Sequence, residues 1–124
     1  MEKKLKIGII CCNYTNLAGE EDYKLIPAEV MEKRVACGGF VKSVDILKMF
    51  ESGADGVLVA VCKDCHNKEG NIRGEKKAEE VKEILEGMGI NPERVEGVFI
   101  ERQSTGEFIE AIQNFCKKLK NMEA

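Results

Sequence analysis

Apolar and polar positions alternate along the chain so as to mark four short apolar runs and three amphipathic stretches. Positions 6–12, Lys-Ile-Gly-Ile-Ile-Cys-Cys, are almost continuously apolar, the pattern of a strand buried on both faces of a sheet. Residues 13–22 are polar, contain Gly19, and read as a loop or the start of a helix. Over 23–33 two readings stay open: Pro27 interrupts the pattern, and 28–33 is either a short helix or the lead-in to a strand. Arg34-Val35-Ala36-Cys37 is the second strand candidate, ended by Gly38-Gly39. Ser43 is placed to cap a helix that carries Val44, Ile46, Leu47 and Phe50 and stops at Gly53. After an Ala54-Asp55 turn, positions 56–62, Gly-Val-Leu-Val-Ala-Val-Cys, form the most strand-like run. A polar loop over 63–73 leads to an amphipathic helix over 75–87, with Ala78, Val81, Ile84, Leu85 and Met88 on one face. Gly89 closes that helix, Asn91-Pro92 turns the chain, and 95–101 is a fourth strand. Thr105 then caps a last helix whose apolar stripe is Phe108, Ile109, Ile112, Phe115 and Leu119.

Strands that alternate with helices imply an α/β fold: a parallel sheet with right-handed crossovers and helices on both faces. The expected architecture is a single flavodoxin-like or Rossmann-like domain spanning 1–124, with a four-stranded parallel sheet. In such sheets ligands bind beyond the carboxyl ends of the strands, where the strand order reverses.

Composition narrows the function classes. At 124 residues the chain is one domain by size, and a domain of that size buries about two-thirds of its unfolded surface. Nineteen basic residues are scattered among 22 acidic ones, net charge −3, so there is no basic footprint for nucleic acid. No apolar run is long enough to span a bilayer. The apolar stretch near the start ends in Cys11 and Cys12, too short for a signal peptide, so a cytoplasmic protein is expected. Neither G-x-G-x-x-G nor the P-loop pattern occurs, and there is no H-E-x-x-H.

Six cysteines then change the picture. Thiols in the cytosol are kept reduced, which points to metal binding or redox chemistry before disulfides. Cys12, Cys37 and Cys62 fall at the ends of the first three strands, and Cys65 completes a C-x-x-C with Cys62. A parallel sheet directs those ends to one rim. Four thiolates are the usual complement of an iron–sulfur cluster or a structural zinc, because soft sulfur donors match both. Cys11 neighbours Cys12 in a strand and belongs on the opposite face, and Cys116 lies on the stripe of the last helix; both read as core. His66 follows Cys65 as the single histidine. It reads as a ligand in a Cys3His set, as a hydrogen-bond donor to a ligating sulfur, or as a solvated loop residue.

Several pieces together resemble the delta subunit of methyl-viologen-reducing (F420-non-reducing) hydrogenase. They are Cys11-Cys12-Asn13-Tyr14, Val35-Ala36-Cys37-Gly38-Gly39, the Gly53-Ala54-Asp55-Gly56-Val57 run that ends at Cys62, Asp64-Cys65-His66 and Glu69-Gly70-Asn71. The segment from Leu85 to Val95, with Gly89-Ile90, matches as well. The resemblance implies an iron–sulfur subunit that passes electrons between a hydrogenase or formate dehydrogenase and the flavin subunit of a heterodisulfide-reductase-like complex. It implies a [2Fe–2S] cluster, with the cysteine pattern landing on Cys12, Cys37, Cys62 and Cys65 and with Cys11 also matching a family cysteine. The chain departs from the pattern at three places. Thr15 stands where the family has a third early cysteine, the loop between Cys62 and Cys65 is shorter, and Phe40 stands where an arginine is usual. Such a subunit is an electron carrier within an oxidoreductase complex rather than a self-contained enzyme. Two other readings compete: a zinc-binding protein using the same cysteines, and a metal-free thiol-redox protein with Cys62 and Cys65 as the exchanging pair.

Overall fold

A computed structural model of the chain describes residues 5–12, 24–35, 41–62, 70–100 and 105–123. Four strands, β1 (Lys6–Cys12), β2 (Glu29–Val35), β3 (Gly56–Cys62) and β4 (Val95–Ile100), and three helices, α1 (Ser43–Glu51), α2 (Gly70–Gly87) and α3 (Thr105–Glu123), follow in the order β1-β2-α1-β3-α2-β4-α3 among the described residues. A 3-10 turn, Pro92–Arg94, precedes β4, its start capped by Asn91, whose side chain accepts from the Glu93 N–H at 2.9 Å. The strands lie in the order β2-β1-β3-β4 and every pairing is parallel. From β1 the chain moves to one side, then crosses back, so the order reverses between β1 and β3.

Side-chain alternation on the two central strands assigns the helices to faces. Ile7, Ile9 and Cys11 of β1 and Leu58 and Ala60 of β3 pack against Phe108, Ile112, Phe115 and Leu119 of α3. Ile10 of β1 and Val57, Val59 and Val61 of β3 face Ile46 and Met49 of α1 and Ala78, Val81 and Leu85 of α2. Because both central strands are covered on both faces, their sequences carry no polar alternation. This is why 6–12 and 56–62 are legible as strands with the bounds the apolar runs give.

The N-terminal edge of the sheet is tied by the turn before β3. Helix α1 ends in a Schellman arrangement: Ala54 N–H bonds the Met49 carbonyl and Gly53 N–H the Phe50 carbonyl, each at 3.0 Å. Gly53 takes φ 104°, open only to a residue without Cβ. Asp55 then accepts the Lys6 N–H on Oδ2 at 2.8 Å, while its own carbonyl accepts Arg94 Nη1 at 2.8 Å. A Cβ on Gly56 would lie 2.7 Å from Leu119 Cδ1 and 2.9 Å from Phe115 Cζ, so α3 packs directly on this backbone.

Four expectations change. The second strand is Glu29–Val35, beginning well before Arg34, so residues 29–33 belong to the strand itself, neither a helix nor a lead-in. Its exposed charged residues hide it from an apolar search; pairing with β1 from Lys6↔Glu29 to Cys12↔Val35 sustains it. Helix α2 begins at Gly70, five residues before 75. Ile84 and Met88 are exposed, at 42% and 66%, so the buried stripe of α2 is the narrower Ala78, Val81, Leu85. Ser43 is the first residue of α1 rather than its cap, and its hydroxyl donates to Glu80 Oε2 at 3.0 Å. No described helix is long and apolar enough to cross a membrane.

Candidate metal centre

All strands being parallel, their carboxyl ends share one edge, and two of the four proposed ligands end strands there. Cys12 is the last residue of β1 and pairs with Val35, the last of β2. Cys62 is the last residue of β3 and pairs with Ile100, the last of β4. The β1–β3 register sets Cys11 opposite Ala60, so Cys12 and Cys62 are one step apart on adjacent central strands. With strands about 4.8 Å apart and a rise of about 3.3 Å, their Cα atoms are separated by about 6 Å. They flank the reversal in strand order, the place where open α/β sheets take ligands.

Cys37 follows the last residue of β2 by two positions, and Cys65 and His66 follow Cys62 by three and four. Cys37, Cys65 and His66 lie outside the described residues, as do the side chains of Cys12 and Cys62, and so do Gly38-Gly39 and the 13–22 segment. Among the described residues no group of three or more His, Cys, Asp or Glu is placed to hold a metal.

The other two cysteines sit in the core, as alternation and helical spacing predict. Cys11 is fully buried among the α3 contacts, and its thiol donates to the Lys33 carbonyl on β2 at 3.9 Å. Cys116 is fully buried in the same cluster. Burial pushes its thiol pKa up, and the charge of Lys120 only partly opposes this, so the thiolate is disfavoured at Cys116. Neither position offers the accessible thiolate that metal ligation or thiol exchange needs.

Sequence reasoning missed two residues at this edge. Phe99, next to Ile100, is 41% exposed, and Ile72 in the first turn of α2 is 45% exposed. Phe99 shares a strand face with Val95 and Gly97, which α2 covers. A Cβ on Gly97 would lie 3.2 Å from Glu75 Cγ, which places the path of α2 against β4. An aromatic residue one position before the end of an edge strand was the available signal.

Comparison with known proteins gives a consistent picture. The family model described as methyl-viologen-reducing hydrogenase, delta subunit, matches residues 7–123. The iron–sulfur subunit of an F420-non-reducing hydrogenase from Archaeoglobus profundus is 31% identical, over 98% of this chain and 95% of the relative. Its counterpart in the vhu F420-non-reducing hydrogenase of Methanococcus voltae is 33% identical, over 98% of this chain and 95% of the relative. One component of the ferredoxin/F420H2-dependent CoB-CoM heterodisulfide reductase of Methanosarcina acetivorans is 31% identical over 94% of this chain, which spans 15% of that longer protein.

Proposed function

The chain belongs to the methyl-viologen-reducing hydrogenase delta-subunit family, and from that premise we propose that it is an iron–sulfur electron carrier whose cysteines meet at the carboxyl rim of the sheet. The observation that supports the reading is the placement of the Cys12 and Cys62 backbones at the carboxyl ends of adjacent central strands. Chain connectivity supports the rest. Two peptide units reach at most about 8 Å and three about 11 Å, so Cys37 and Cys65 are tethered within reach of the same rim.

The donor set fits a cluster: four thiolates, Cys12, Cys37, Cys62 and Cys65, are the usual complement of a [2Fe–2S] centre, which would supply one-electron transfer when bound. Four remain despite Thr15, so the departure from the family pattern does not exhaust the ligands. The strands hold the backbone of Cys12 and Cys62 at fixed spacing, which limits rearrangement between oxidation states. His66 serves either as a donor to a sulfur or as an alternate ligand. The carrier passes electrons between a hydrogenase or formate dehydrogenase and a flavin subunit of heterodisulfide-reductase type. Relatives named as iron–sulfur subunits of F420-non-reducing hydrogenase support one end of that path. The occurrence of a similar sequence within a longer component of a heterodisulfide reductase supports the other.

Anaerobic purification with iron, sulfide and zinc quantification, then EPR of the reduced protein, tests the reading. The expected product is brown, carries iron and acid-labile sulfide, and is bleached by dithionite. Cys37→Ser and Cys62→Ser each abolish the absorption, while Cys116→Ser retains it. A colourless protein containing stoichiometric zinc would replace the electron carrier with a structural zinc protein. Bleaching by Cys116→Ser alone would overturn the ligand assignment.

A further inference from the structure

The carboxyl rim of the sheet has two unlike sides. Each helix follows a strand end, α1 after β2, α2 after β3 and α3 after β4, so all three begin at that rim. On the α3 side the first turns bury their apolar residues: Phe108 and Ile109 face the core, and Gly106 and Glu110 are exposed. On the side of α1 and α2, three large apolar residues stand in solvent. They are Val44 in the first turn of α1, Ile72 in the first turn of α2, and Phe99 beside the end of β4.

Phe99 and Ile72 stand at one level. Gly97 lies against Glu75 and Ala78 of α2. Phe99 is two residues nearer the rim on the same strand face, and Ile72 is about one turn nearer the rim on α2, so each lies about 5–7 Å beyond that contact. The strand that carries Phe99 is an edge of the sheet, and Glu96 is its one charged residue. The opposite edge strand, β2, carries Glu29, Glu32, Lys33 and Arg34. An edge strand without protecting charges, ending in an exposed aromatic, is the pattern of a surface that something covers. Charge does not say what: Arg73 and Lys76 are offset by Glu75 and Glu79 on α2, and Arg102 by Glu101 after β4.

We propose that a flavin subunit of heterodisulfide-reductase type docks over the α1 and α2 side of the rim, with Phe99 and Ile72 at the centre of its footprint. The inference rests on the electron-carrier reading. Electron transfer falls steeply with distance, so a redox partner must sit over the rim and cover the surface around it. The choice of partner follows from the character of that surface. Lasting interfaces are more apolar than transient ones. In the longer heterodisulfide reductase relatives, the counterpart of this domain is part of the same chain, the most lasting arrangement available. The apolar side is therefore assigned to that component, and the α3 side, with exposed Glu110, is left to the electron donor.

The test mixes the full chain with the purified flavin subunit. Hydrogen exchange of the parent is expected to slow at 70–76 and 95–100, a footprint that needs no variant, and affinity should change little as salt rises. The double variant I72D/F99S weakens binding by about tenfold or more. Phe99→Leu, which keeps the apolar surface, retains most of the affinity, and Glu110→Lys leaves it unchanged. Iron content, EPR signal and circular dichroism of the double variant match the parent, which separates docking from loss of fold or of cluster. Absence of binding by the parent, protection confined to α3, undiminished binding by the double variant, or equal loss with Glu110→Lys would each overturn the docking. A parent without iron or an EPR signal, measured before the flavin subunit is added, would overturn the electron-carrier reading, and the docking with it.

Discussion

At Asp55 a single carboxylate does the work of a missing strand neighbour. It accepts the Lys6 N–H at the start of β1, and its carbonyl is bound by Arg94 ahead of β4, so three strands are fastened at their first residues. Gly53 and Gly56 on either side serve the same turn, one through its positive φ and one by letting α3 close on the backbone. The Gly-Ala-Asp-Gly stretch, the most specific part of the family resemblance, is therefore scaffold. Six residues of β3, about 20 Å, separate it from the cysteine rim. Gly53→Ala is expected to cost about 1 kcal/mol through backbone strain alone, since a Cβ there meets nothing within 4 Å. Asp55→Ala costs about 0.5–1.5 kcal/mol by exchanging the exposed Lys6 hydrogen bond for one to water. Each lowers the melting temperature by about 3–6 °C per kcal/mol while absorption per iron stays constant. A change in the spectrum with unchanged stability would place this turn in the site instead.

Among the elements, α3 carries the clearest electrostatic fastening. The hydrogen bond from Lys118, then its charge, hold the Glu93 carboxyl below the usual carboxylate range. Burial alone would favour the neutral amine of Lys118, but Glu93 and Glu96 outweigh it and raise its pKa. The depressed carboxylate stabilises the fold at neutral pH, a contribution lost as pH falls through its folded value. The raised lysine stabilises the fold up to its unfolded value and loses that contribution as pH rises through the folded one. Both groups are partly exposed, so the contribution is at most about 1 kcal/mol. The melting-temperature difference between the parent and Glu93→Gln should be largest near neutrality and shrink toward either extreme. A pH-independent difference would mean that packing, not charge, is lost. The sequence made the apolar stripe of α3 legible because Phe108, Ile109, Ile112, Phe115 and Leu119 all turn inward. It concealed β2, whose stability comes from main-chain pairing beneath Glu32, Lys33 and Arg34, charges that also protect a sheet edge. On α2 it overstated the buried face: the helix lies so close to β4 at Gly97 that small Ala78 fits beneath it while Ile84 rotates outward.

For the molecule as a whole, the parallel sheet sets Cys12 and Cys62 at its carboxyl edge and leaves Cys11 and Cys116 in the core under α3. The strand ends were visible in the sequence as cysteines closing apolar runs, which is why the rim could be located. Which side chains approach one another there depends on connections that hydrophobic patterning does not constrain. Cys11 and Cys116, by contrast, are sealed beneath α3, and Cys116 is further disfavoured as a thiolate by its burial. Reaching either sulfur requires α3 to leave the sheet, and α3 contributes Phe108, Ile112, Phe115 and Leu119 to the core on that face. At about 1.5–3 kcal/mol for each such side chain, that separation approaches the stability of the whole domain. A variant with Cys12, Cys37, Cys62 and Cys65 all changed to Ser leaves only these two thiols. In native buffer it should react with a thiol reagent orders of magnitude more slowly than a free cysteine. Its labelling should rise with denaturant along the same curve as the loss of helical circular dichroism. Fast labelling of Cys116 below that transition would show that α3 detaches by itself, and the sheet would then be closed on one face only part of the time.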